Sequence, residues 1–184
     1  MVLWLIIVIA ILVLIALMFL LYYNRFVTLE NRIDNSLSQI DVQLKKIADL
    51  VPNLIASVKG YAKHEKEIMS DVTKARESLL KAPTLEKRMK AGADLERFIG
   101  RLFAIAENYP QLRANENFLQ LQNELANIED RIAYARQNYN DSILSYNNLT
   151  KRLPGMWFAS MYGKTPKKYL EIPKEERVVP KVSF

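Results

Sequence analysis

Residues 1–23 carry no charged side chain, and the first charge along the chain is Arg25. At about 1.5 Å per residue, such a run reaches roughly 35 Å as a helix, enough to cross a hydrocarbon core of about 30 Å. A cleaved signal peptide fits less well. No basic stretch precedes the apolar run, the run is too long, and no small-x-small cleavage site follows it. The pattern predicts a single uncleaved transmembrane anchor, with Trp4 near one end and Tyr22 and Tyr23 at the other, where interfacial aromatics belong. Arg25 and Arg32 follow the run and nothing basic precedes it. The positive-inside rule then puts the N-terminus outside and the rest of the chain in the cytoplasm.

Beyond the anchor, apolar residues recur in steps of three and four. The first row is Phe26, Leu29, Ile33, Leu37, Ile40, Leu44, Ile47 and Val51, and the second is Leu54, Val58, Tyr61, Ile68, Val72, Ala75 and Leu79. The third is Leu85, Met89, Leu95, Ile99, Leu102, Phe103 and Ala106, with Gly92 and Gly100 inside it. The fourth keeps one heptad frame through Phe118, Leu121, Leu125, Ile128, Ile132, Ala135, Tyr139, Ser142, Tyr146, Leu149 and Leu153. Asn117 and Gln120 read as a capping box at its start. Pro52, Pro83, Pro110 and Pro154 are spaced at helix-length intervals and read as boundaries, because proline ends helices or begins them. No segment alternates with period two. The expected fold is all-α: an N-terminal transmembrane helix (1–23), an antiparallel up-down four-helix bundle (24–153) and a basic, aromatic, proline-containing tail (154–184).

Charge sharpens the division. The formal net charge is +6, and from Lys151 onward eight basic residues face three acidic ones, so nearly all the excess lies in the tail. A neutral bundle with interspersed signs lacks the basic stripe of a nucleic-acid-binding face. Zero Cys and one His exclude a disulfide scaffold, a thiol nucleophile and a zinc site of the usual N/S ligands. Gly163-Lys164-Thr165 resembles the end of a phosphate loop, but Phe158 stands where a glycine is required. His64-Glu65 resembles half a zinc-protease motif, but Ile68 replaces the second ligand. In the helical frame His64 shares a row with Ser57, Asp71 and Ser78 and reads as a polar flank residue. Tyr61, Tyr139 and Tyr146 read as core residues with a polar tip. Asn140-Asp141-Ser142 and Asn148-Leu149-Thr150 match the glycosylation sequon, but inside a predicted helix both read as chance. No catalytic, cofactor-binding or metal-binding residues are assigned.

The tail opens with an aromatic cluster. On one or two helical turns, Trp157, Phe158, Met161 and Tyr162 are expected to share a face, followed by Lys164, Lys167 and Lys168. That grouping reads either as an interfacial membrane patch or as a plug for the open end of the bundle. Either use buries the same apolar area.

Several motifs together resemble the LemA family of bacterial membrane proteins. They are Tyr23-Asn24 with Phe26-Val27, Gln39 to Lys45, Asp49 to Leu54, Val58 to Tyr61 with His64-Glu65, and Leu121-Gln122 with Glu124-Leu125. Arg131-Ile132-Ala133, Ala135-Arg136, Tyr139-Asn140 and Pro180-Lys181-Val182 with Phe184 complete the set. Leu37 stands where an aromatic is common and Ile47 replaces a basic residue; neither changes the helical pattern. The resemblance implies a single-pass helical-bundle protein with no established enzymatic activity and no catalytic residues to carry over.

The expected function is a membrane-anchored, non-catalytic adaptor or scaffold for envelope proteins in the cell membrane. Gln39, Asp41, Gln43, Lys45, Lys59, His64 and Glu65 are the candidate partner surface. The alternative is a lipid-binding or membrane-organising role carried by the tail, with the chain as a homo-oligomer. Expected partners are the bilayer and membrane or envelope proteins, and not nucleic acid.

Overall fold

The computed structural model describes residues 1–170. Among them all regular structure is helical: α1 (Val2–Tyr61), α2 (Lys66–Lys81), α3 (Leu85–Ala106), α4 (Pro110–Arg113), α5 (Glu116–Lys151) and α6 (Gly155–Met161). The chain divides into two compact units. One comprises Met1–Ser36 with the chain from Arg136 onward, and the other is Leu37–Ala135. The tail beyond Leu170, with Pro173, Pro180 and its remaining charges, lies outside the described residues.

The all-α class and the long apolar N-terminal helix hold. Helix α1 runs without a break through the apolar stretch and on to Tyr61, and its N-terminal part is long and apolar enough to cross a membrane. Pro52 does not end it, contrary to the boundary rule. Proline has no N–H, so the Ala48 carbonyl one turn earlier loses its intrahelical donor. Arg76 of α2 supplies a replacement, its Nε donating to the Ala48 oxygen at 2.7 Å. The buried row Ala48, Val51, Leu54, Val58 therefore continues across the proline, and Leu54 and Val58 belong to α1 instead of a second helix.

The break falls instead at Ala62–Glu65, which places His64 in an exposed turn and removes it from the helical row predicted for it. Tyr61 is likewise exposed, its hydroxyl accepting from Asn115 Nδ2 at 3.2 Å. Pro83, Pro110 and Pro154 do mark boundaries. Thr84 caps α3, its hydroxyl accepting from the Lys87 N–H. Asn115, not Asn117, caps α5: its side-chain oxygen accepts from the Phe118 N–H at 3.1 Å.

In the Leu37–Ala135 unit, α2 and α3 pack on one another across the short Ala82–Thr84 turn. Ile40, Leu44 and Ile47 of α1, Val72 and Leu79 of α2, Leu95, Ile99 and Leu102 of α3, and Phe118, Leu125, Ile128 and Ile132 of α5 are buried. Gly92 is buried in α3 against Leu44, which a Cβ there would run into, whereas Gly100 faces open space. Arg88 ties α3 to α1, its Nη1 reaching both Asp41 carboxylate oxygens at 2.7 Å while its Nε donates to the Ala82 carbonyl.

Candidate membrane-interface site

The Met1–Ser36 and Arg136-onward unit holds the features that matter most. After α5, Pro154 occupies the N-cap of α6. Gly155 opens that helix, and any side chain there would collide with the backbone carbonyl of Leu149. This close approach folds α6 onto α1. Phe158 stacks on Tyr22 at 4.6 Å between ring centroids and meets Phe19 edge-on at 5.6 Å. Tyr162 meets Phe19 at 4.9 Å and Tyr23 at 5.5 Å, and its hydroxyl donates to the Phe19 carbonyl at 2.6 Å. Aromatic pairs of these geometries add about 0.5–1.5 kcal/mol each beyond their buried area. The seam lies where the apolar run of α1 ends.

The structure divides the predicted aromatic face in two. Phe158 and Tyr162 turn inward onto α1, while Trp157 and Met161 remain 61% and 67% exposed. At about 100° per residue the pairs 157/161 and 158/162 lie about 100° apart on the helix, so when the second pair packs on α1 the first is turned to the side. Leu153 and Met156 join Trp157 and Met161 on the outside, making an exposed row that is apolar apart from Ser160. The spacing 153, 156/157, 161 carried that signal in the sequence.

Gly163, in the left-handed region at φ 64°, turns the chain out of α6 into an extended strap, Lys164–Leu170, that runs back along α5. Two asparagines hold it by its backbone. Asn147, itself buried, accepts from the Lys167 N–H at 2.8 Å and donates to the Lys167 carbonyl at 2.9 Å. Asn140 repeats this on Leu170, at 2.9 and 3.3 Å. The Tyr139 hydroxyl donates to the Lys168 carbonyl at 3.3 Å. Two helical turns of α5 span about 10.5 Å, and three extended residues span about 10 Å, so the two clamps keep register.

The lysines differ in their surroundings. Lys164 Nζ forms an ion pair with both Glu30 carboxylate oxygens at 2.9 and 2.8 Å. Lys167 lies over the Tyr146 ring at 5.3 Å, and the Lys168 side chain is exposed. Tyr146 is buried as predicted and donates to Glu30 at 3.3 Å. Burial first, then the charge of Glu30 and the hydrogen bond to it, push the Tyr146 phenol up to about 12. The half-buried Tyr139 is also raised, by burial and then by the charge of Asp34. Sequence reasoning missed Glu30, Asn140 and Asn147 as contributors.

The candidate partner residues lie in the Leu37–Ala135 unit and fall on different faces. Gln39 and Gln43 line a groove of about 360 Å³ with Asp130, Arg131 and the exposed Tyr134 of α5. Asp41 and Lys45 line a second pocket with Leu44, Leu79, Leu80 and Arg88. Lys59 is exposed near the end of α1. Glu65 accepts from the Tyr109 hydroxyl at 3.0 Å, which raises that phenol. Among the described residues no group of three or more His, Asp or Glu is placed to hold a metal.

An all-helical chain led by one apolar helix of spanning length, with an aromatic seam at its end, is a membrane-associated helical protein. The particular kind follows from comparison with known sequences. The chain belongs to the LemA family, whose model matches residues 36–184. It is 27% identical to the magnetosome protein MamQ of Magnetospirillum gryphiswaldense, over 78% of this chain and 62% of that one. It is 26% identical to magnetosome protein MamQ 2 of Paramagnetospirillum magneticum, over 83% of this chain and 65% of that one. It is 30% identical to protein LemA of Metamycoplasma hominis, over 68% of this chain and 58% of that one. The chain thus spans less than two thirds of the length of these curated relatives.

Proposed function

We propose that this chain is a membrane-anchored, non-catalytic scaffold for envelope proteins, held against the bilayer by α6. Residues 1–23 serve as the anchor, and Arg25 and Arg32 keep the helical body on the cytoplasmic side. The carrying observation is the seam in which Phe158 and Tyr162 bind the end of the apolar run while Leu153, Met156, Trp157 and Met161 are turned outward. An outward apolar row at that level is matched by the boundary between headgroups and acyl chains.

On this reading the Leu37–Ala135 unit is an up-down bundle of α1, α2, α3 and α5. Support comes from the α1–α2 contact of Arg76 with Ala48, the α1–α3 pair Asp41–Arg88, and the groove that α1 and α5 line together. That groove, polar but rimmed by the exposed Tyr134, is the surface offered to partners.

The membrane seat is tested with Trp157 as the reporter. The chain has two tryptophans, so Trp4→Phe leaves Trp157 alone. In proteoliposomes of the full chain, lipids brominated near the top of the acyl chain should quench it more than lipids brominated near the end. Absence of quenching by either would refute the seat. The scaffold role is tested by a photocrosslinker in place of Tyr134 in native membranes. Adducts with other membrane proteins are expected, and self-adducts alone would count against it.

A further inference from the structure

The charges of the Met1–Ser36 and Arg136-onward unit are one-sided. Its described residues hold eight basic side chains against Glu30, Asp34 and Asp141, and no carboxylate lies before Glu30 or between positions 142 and 170. Lys164 is spent on Glu30, and Lys167 lies over Tyr146. Arg32 and Lys168 are exposed farther from the seam, two turns beyond Arg25 and beside Tyr139, whereas Arg25, Lys151 and Arg152 stand next to it. Arg25 sits one turn beyond Tyr22 on α1, Lys151 closes α5, and Arg152 starts the turn into α6. All three are exposed, and among the described residues none has an ion pair or side-chain hydrogen bond. They flank in sequence the two segments that meet in the aromatic seam, next to the outward row of Leu153, Met156, Trp157 and Met161.

We propose that Arg25, Lys151 and Arg152, together with this outward row of α6, form a docking surface for anionic phospholipid headgroups. The proposal rests on the membrane seat described above and adds the class of lipid. An apolar row alone enters any bilayer. Three cations without partners among the described residues, at the level where the apolar helix ends and with no carboxylate before Glu30 or between positions 142 and 170, make the surface selective for negative headgroups. The two arginines present planar forks that match phosphate oxygens, and the lysine adds a point charge. The surface differs from the one the sequence suggested, since Lys164 and Lys167 already have partners within the chain.

The experiment uses full-length Trp4→Phe protein in proteoliposomes that contain a small, equal mole fraction of brominated lipid, either anionic phosphatidylglycerol or zwitterionic phosphatidylcholine. Each cation near an anionic surface is worth roughly a fivefold preference when unscreened. Quenching of Trp157 by the anionic lipid should therefore exceed that by the zwitterionic one by at least about threefold. The ratio should fall towards one in about 1 M salt, where the Debye length is about 3 Å. It should also fall in the triple variant Arg25→Gln, Lys151→Gln, Arg152→Gln, with unchanged helix content. Equal strong quenching by both lipids overturns the lipid selectivity and leaves the membrane seat standing. No quenching by either overturns the seat and the selectivity with it. A preference that survives in the triple variant overturns the assignment to these three residues.

Discussion

Replacing Asn147 by alanine removes two hydrogen bonds at once, because a single side-chain amide holds both the N–H and the carbonyl of Lys167. A hydrogen bond of this kind contributes about 1 kcal/mol net, and a polar group stranded without water costs up to about 3 kcal/mol. Lys167 is exposed, so its freed backbone groups rehydrate and the lower figure applies to each bond. The strap should then lose about 2 kcal/mol, a factor of about thirty in its opening equilibrium. Amide hydrogen exchange on the full chain in lipid nanodiscs reads this directly. Protection of the Lys167 amide should fall about thirtyfold, and Leu170, held by Asn140 one clamp further on, should lose less. Asn148→Ala is the control, since its side chain makes neither bond and its carbonyl, which accepts from the Arg152 N–H, is kept. Asn147→Asp should be no better than alanine. It keeps an acceptor for the Lys167 N–H but turns an oxygen towards the Lys167 carbonyl. Unchanged protection at Lys167 in Asn147→Ala would refute the clamp.

Two further outcomes follow from the packing. Arg76→Met should destabilise the chain by about 2 kcal/mol, because it strands the Ala48 carbonyl that Pro52 cannot serve. The same change should cost less in a Pro52→Ala background, where an N–H is restored one turn on; equal costs in denaturant unfolding would disprove the coupling. Tyr146, raised to about 12 from an ordinary value of 10.0, keeps its proton in the folded chain after the unfolded chain has lost it. Stability should therefore decline as pH rises from about 10 towards 12. Tyr146→Phe should flatten that slope, and Glu30→Gln should lower the phenol midpoint seen by ultraviolet difference titration. A midpoint near 10 in the unaltered chain would contradict the burial argument.

Much of this fold is legible in the sequence because its determinants are local. An uncharged run up to Arg25 and rows stepping by three and four are properties of neighbouring positions, and α1, α2, α3 and α5 follow from them. The misreadings have a common physical origin in distant groups. Pro52 is a helix breaker only while Ala48 has no other donor, and the donor that rescues it lies 28 residues away from Ala48. In α5 the heptad frame holds to Ala135 and then drifts: Ile143, Asn147 and Thr150 are buried where the strict frame puts Ser142 and Leu149. A straight helix gains about 20° per heptad on a 3.5-residue repeat, so a long frame slips by one position. That slip carries Asn147 inward, and a buried asparagine without a visible partner is unreadable until the strap that it holds is in place.

The lysines of the tail show why the candidate site resists sequence reading more than the fold does. Lys164, Lys167 and Lys168 sit within five positions and look like one basic patch. The strap gives each a separate fate: an ion pair with Glu30, a place over the Tyr146 ring, and open exposure. An ion pair removes a cation from any long-range field it would otherwise contribute, since the two charges cancel beyond a few ångströms. What counts for recognition of an anionic surface is therefore the set of cations left without partners. Glu30, on α1 more than a hundred residues earlier in the chain, removes Lys164 from that set. Arg25, Lys151 and Arg152 are unremarkable in sequence, separated by a long stretch and embedded in no motif. They become a candidate surface only because Gly155 lets α6 fold onto the end of the apolar helix. On this argument Lys164 and the backbone of Lys167 secure the strap and the strap secures α6. Attraction to lipid falls to Arg25, Lys151 and Arg152, since the exposed Lys168 is held back beside Tyr139, away from the outward row.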